Sequence, residues 1–189
     1  MVRRRQLNKE NVVARAVQLA DDAGSADHLT LTALAASLGV RTPSLYNHVA
    51  GLEGLRHDLA VYAVRALIDE LRAAAAGHVG RDALLAMAGA YRRFAHRHPG
   101  IYPFVTQAPD SGDEALAGPA QELLQLLLLV LASFGIGGED ALHAVRGFRS
   151  VLHGFVSLEK GEGYKMALDR EESFQRLVTA YLDGLESRL

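Results

Sequence analysis

Between Arg41 and His48 the chain reads Arg-Thr-Pro-Ser-Leu-Tyr-Asn-His, and nearly every residue type in that run has a use at the surface of a nucleic acid. Arg41 carries a permanent charge suited to phosphate. Thr42 and Ser44 donate from hydroxyls to phosphates or base edges, and Asn47 pairs bidentately with adenine. Pro43 and the Thr42 methyl suit a thymine methyl group, while Tyr46 and His48 suit phosphate oxygens. Thr30, a little upstream, completes the candidate DNA-contacting set. Spacing then sorts these residues by direction. Leu45 and Val49, four apart, share one face of a helix, whereas Pro43 and Asn47 lie about 180° away from it, with Ser44, Tyr46 and His48 on the flanks. A short helix with one packed face and hydrogen-bonding groups opposite is what a major groove admits.

Other reactive residues form no comparable pattern. His96 and His98 stand about 200° apart on a helix, which is a poor chelate, and His143 and His153 are about 80° off a common face. With no Cys and no His-Glu-x-x-His pair, no metal site is expected. No phosphate-cradling loop, dinucleotide fingerprint or nucleophile elbow is present, so neither a cofactor nor a catalytic residue is assigned.

The elements that must hold the reading residues follow from periodicity. Leu31, Leu34, Ala35 and Leu38 fall at i, i+3, i+4, i+7; Thr30 caps that helix and Gly39 ends it, with Val40 plugging the corner. Pro43 opens the next helix without wasting a backbone N–H. Asn8 caps an earlier helix, about 9–23, whose inner face is Val12, Val13, Ala16, Leu19, Ala20 and Ala23. Three helices therefore make a small braced head. A long helix, about 52–76, follows with Leu55, Leu59, Tyr62, Ala63, Ala66, Leu67 and Leu71 as its core face; it starts in the head, ends in the body, and is the natural lever between them. Further helices are expected at about 81–98, 114–134, 139–160 and 170–189. The 114–134 helix is apolar on most sides and is expected at the centre of the body. The expected fold is thus all-α: a three-helix head (9–68) joined by the long helix to a helical-bundle body (80–187).

Composition narrows the class. The chain has 189 residues and a net charge of −2, but residues 1–50 hold six Lys/Arg against four Asp/Glu while the remainder holds 14 against 18. A slightly positive head on an acidic body suits a polyanion ligand. Arg3–Arg5 make a basic arm able to reach phosphates or the minor groove, or simply a solvated terminus. The N-terminus lacks a signal-peptide core, and the apolar run Leu123–Phe134 is short for a membrane span, so no membrane partner and a cytoplasmic location are expected.

The run LTLTALAASLGVRTPSLYNHV, with its LA-x-x-LGV-x-x-x-x-LY-x-H core, resembles the N-terminal signature of the Tet repressor family over about residues 9–68. Residues 80–187 resemble a C-terminal type of the same family through HPGIY (98–102), LHGFVSLE (152–159) and DREESFQRL (169–177); members named for a Trp-His-Gly motif have Trp where this chain has Leu152. The resemblance implies a helix-turn-helix whose first helix supports the other two. It also implies a small-molecule effector whose binding moves the long helix, with Tyr91, Phe94, Tyr102, Phe104, Phe148 and Phe155 as candidate lining of a largely apolar pocket. In the family a Lys at the start of the long helix usually touches phosphate; Ala50, Leu52 and Glu53 stand in that region here. One short reading helix binds weakly, so a homodimer on near-palindromic operator DNA is expected, and the resemblance places its interface on the last two helices. The resulting expectation is a ligand-responsive transcriptional regulator, a repressor, with an all-helical small-molecule-binding protein or enzyme carrying an incidental helix-turn-helix as the competing reading.

Overall fold

The computed structural model describes residues 7–187; the Arg3–Arg5 arm lies outside them. Those residues form α-helices and short 3₁₀ turns, without a strand among them. The α-helices are α1 (Lys9–Ala23), α2 (Leu31–Leu38), α3 (Gly51–Ala75), α4 (Gly80–Arg97), α5 (Glu114–Ser133), α6 (Gly138–Lys160) and α7 (Arg170–Glu186). Caps set several of these ends. The Asn8 side chain accepts the Asn11 N–H at 2.8 Å and Gly24 closes α1 at φ 72°. Asp169 accepts the N–H groups of Glu171 and Glu172 to start α7.

The chain divides into two compact units, and the division is not a single cut. One unit takes the chain as far as Arg65 together with Arg97–Leu116; the other takes Ala66–His96 and the chain from Ala117 onward. A contiguous split into 9–68 and 80–187 would assign Arg97–Leu116 to the body, whereas its packing groups it with the head. In the first unit Val12, Ala16, Leu34, Leu45, Leu55, Leu59 and Ile101 are buried. In the second, Leu84, Met87, Phe94, Leu131, Phe148, Leu152, Val178 and Leu182 are buried. There α6 and α7 approach closely because Gly147 has no side chain: a Cβ would stand 2.4 Å from the Tyr181 hydroxyl oxygen, which donates to Ala144 O at 2.7 Å.

Several expectations need correction. The reading helix is not an α-helix but a six-residue 3₁₀ segment, Thr42–Asn47. Tyr62, assigned to the α3 core face, is exposed. Most of all, α5 is not centrally buried: Leu123, Leu124 and Leu126–Leu128 are half-buried and Leu129 is 71% exposed. A helix apolar on every side has no phase, so its sequence cannot say which sides are covered. With 20 residues and an 18-residue stretch of mean hydropathy 1.6, α5 is also long and apolar enough to cross a membrane by length and composition. On α6, Gly154 is exposed, and nothing lies within 4 Å of a Cβ built there.

Candidate nucleic-acid interface

The corner is built by local hydrogen bonds before any packing. The Thr30 hydroxyl accepts the Ala33 N–H at 3.1 Å, which starts α2. Gly39 at φ 68° ends it, with Gly39 N–H bonded to Ala36 O and Val40 N–H to Ala35 O, the paired closure of a Schellman motif. Arg41 then stays extended, at φ −85° and ψ 146°, and Pro43 enters the first 3₁₀ turn. Ser44 N–H bonds Arg41 O at 2.9 Å and His48 N–H bonds Leu45 O at 2.8 Å. The tight 3₁₀ winding keeps the segment short. It also alternates what is presented: Leu45 is 0% exposed and Val49 is buried, while the adjacent Tyr46 is 61% exposed.

Every expected contact residue therefore has a definite place. Arg41, Pro43, Tyr46 and Asn47 are exposed together with Thr30; Thr42, Ser44 and His48 are half-buried on the flanks. Between Leu29 and Val49, Arg41 is the only Lys, Arg, Asp or Glu, so it sets the local sign of charge.

Behind the corner, three consecutive residues of α3 each hold a different segment. Arg56 donates to Asp27 at 2.8 Å, His57 meets Asp113 at 2.9 Å, and Asp58 meets Lys9 at 2.7 Å. Arg56 holds the Asp27 carboxyl below its ordinary range, helped by the Ser25 hydroxyl. Arg56 and Lys9 thus have carboxylate partners. At the start of α3, Gly51 takes φ 73° and Glu53 is exposed, and Ala50, Leu52 and Glu53 themselves supply no side-chain cation there.

The chain's likeness to known proteins agrees with this geometry. Residues 84–181 match the family model described as Tetracyclin repressor-like, C-terminal domain. An uncharacterized HTH-type transcriptional regulator of Mycobacterium tuberculosis, Rv0681, is 40% identical over 188 residues, 97% of this chain and 84% of that protein. The uncharacterized HTH-type transcriptional regulator YobS of Bacillus subtilis is 34% identical over 95% of this chain and 93% of its own length. The chain belongs to the Tet-repressor family of HTH-type transcriptional regulators. The crystal structure of TetR from Acinetobacter baumannii AYE shares the fold, with a TM-score of 0.68 at 21% identity over 96% of this chain and 98% of that one. A variant of that protein was solved in complex with minocycline.

In a Tet-repressor-family chain the body should hold an effector, and here the six aromatic candidates separate. Tyr91, Phe94, Phe148 and Phe155 lie in the second unit; Tyr102 and Phe104 lie in the first. All six are buried, and none lines the cavity of about 450 Å³ between α6 and α7, which is bounded by Ile136, His143, Gly147, Tyr181 and Gly184. Phe148 instead borders a smaller apolar crevice with Leu84, Leu131 and Leu182.

Sequence spacing also missed the polar centre of this unit. Arg92 donates from Nε and Nη2 to Glu159 at 2.9 and 2.7 Å, pairs with Glu171, and lies over the rings of Phe155 and Phe174. His96 meets the same Glu159 at 2.7 Å. Arg92 holds the Glu159 carboxyl below its ordinary value, against the burial that would raise it, and His96 adds to the effect. The only advance signal was a Glu among apolar neighbours in LHGFVSLE.

Proposed function

We propose that this chain is a homodimeric, ligand-responsive repressor that reads a near-palindromic operator with the Thr42–Asn47 corner of each protomer. The observation that carries this reading is the alternation in that corner, with Leu45 and Val49 packed inside while Arg41, Pro43, Tyr46 and Asn47 stand exposed. Asn47 reads a base edge, Arg41 holds phosphate, and Thr30, Thr42, Ser44, Tyr46 and His48 set register on the backbone. Two such corners related by a twofold axis reach successive turns of the duplex. The dimer forms through α6 and α7, where Leu142 is 44% and Leu177 39% exposed in the single protomer.

The effector is a largely apolar small molecule bound in the body; the minocycline complex of the A. baumannii relative supports that assignment. Its binding shifts the population of head spacings through α3, a coupling of about 1–3 kcal/mol. A regulator of this kind works in the cytoplasm, beside the DNA. A mobility-shift assay on DNA flanking its own gene tests the reading. The parent should retard that DNA and Arg41→Ala with Asn47→Ala should not; equal retardation by both removes the corner from the interface. A thermal-shift screen tests the body: a ligand that raises the melting temperature without changing DNA affinity argues against coupling.

A further inference from the structure

The segment Arg97–Leu116 comes between two helices assigned mostly to the second unit, yet it packs as part of the first. Two carboxylates fasten it there. Asp21, in the last turn of α1, takes His98 Nδ1 on one oxygen at 2.7 Å and the Gly100 N–H on the other at 2.9 Å. The Gly100 backbone lies directly on the Ala20–Asp21 peptide, since a Cβ at that position would stand 2.1 Å from the Ala20 carbonyl carbon. Asp113 holds His57 of α3 with both oxygens, at 2.9 and 3.0 Å, and the same side chain accepts the Leu116 N–H at 3.1 Å. Between the two latches Ile101, Tyr102, Phe104 and Val105 are buried. A surface connection would need none of this; loops normally run over the outside with few fixed contacts.

We propose that Asp21 and Asp113 are positioning residues for operator binding. They make Arg97–Leu116 a working part of the DNA-binding unit, so that the placement of the reading corner is set through α4 and α5 as well as along α3. The proposal rests on the DNA-binding reading above. The chain crosses between its two units inside α3, at Arg65–Ala66, inside α4, at His96–Arg97, and inside α5, at Leu116–Ala117. The first crossing leads straight to the corner. The second is fastened to α1 by Asp21, and α1 packs on α2. The third is fastened to α3 by Asp113, one residue from the Arg56 and Asp58 contacts that hold the loop before α2 and the start of α1. Each crossing therefore enters the head unit at a segment that contacts within that unit tie to the corner's supports.

The test uses the full chain with Asp21→Ala and with His57→Leu, which opens the second latch but leaves Asp113 to cap α5. Each should weaken retardation of the DNA the parent binds by about fivefold or more, the scale of a modest coupling. Amide exchange within Leu31–Asn47 should stay as in the parent while that of Ile101–Gln107 rises. The proposal is overturned if the double variant binds as tightly as the parent. It is equally overturned if affinity falls only in step with lost protection inside Leu31–Asn47, which would mark the latches as simple stabilisers of the corner. A parent that retards no duplex at all overturns the DNA-binding reading and this proposal with it; a parent that binds, with variants that bind equally, overturns this proposal alone.

Discussion

At the scale of single residues, the corner and the buried ion pair make opposite demands on charge. Arg41 is exposed, so in the proposed phosphate contact its worth would lie in counterion release and not in structure. Arg41→Ala should lower the slope of log affinity against log salt by about one and leave the urea midpoint unchanged. Asn47→Ala should instead cost about 1–3 kcal/mol on the preferred sequence and relax discrimination at one base pair, which a panel of single-substituted operators would show. Arg92 is different because its partner is out of solvent: the Glu159 side chain is only 5% exposed. Arg92→Leu leaves that carboxylate with only the His96 contact and should cost about 3 kcal/mol in urea unfolding at neutral pH. Because the Glu159 pKa is lowered in the folded protein, the pair's contribution is present above the ordinary carboxylate range and is lost as pH falls through the folded value. The gap between parent and Arg92→Leu should therefore shrink on acidification; a gap that widens would contradict the assignment.

At the scale of elements, short helices depend on their ends. α2 has eight residues, and isolated helices of that length are not stable in water. Thr30 stands at its N-cap and also among the candidate phosphate contacts, so its two roles can be separated. Thr30→Ala should cost about 1 kcal/mol of stability, read from the urea midpoint, while Thr30→Ser should keep it. The helix positions were legible in the sequence because Asn8, Thr30, Gly24 and Gly39 are local signals acting on their own backbone. The 3₁₀ winding of Thr42–Asn47 was not legible, since Pro43 fits the first turn of either helix type and six residues carry too little periodicity to separate them. Nor was the covered side of α5, whose apolar residues do not favour one direction.

At the scale of the whole molecule, the proposed dimer carries the operator reading. Leu142→Glu with Leu177→Glu places two charges on the proposed interface and should convert a dimer to a monomer in sedimentation equilibrium, with operator affinity falling by orders of magnitude and helicity retained. A pair of variants that stays dimeric would move the interface off α6 and α7. The division into units belongs to this scale as well. Nothing in the run HPGIY marks it as part of the head. Its place depends on Asp21, far upstream, and on the absence of a side chain at Gly100, neither of which has meaning until the two segments meet.

What the sequence determined alone was whatever physics acts between neighbours: the all-helical class, the caps, the glycine stops, and the inward and outward faces of the reading corner. Those depend on residues within a turn or two of one another. The tertiary structure decided which distant groups share a partner: Arg92 and His96 with Glu159, His98 and Gly100 with Asp21, His57 with Asp113. A carboxylate accepts from any donor the fold brings within reach, so its partner is set by the path of the chain and cannot be read from spacing.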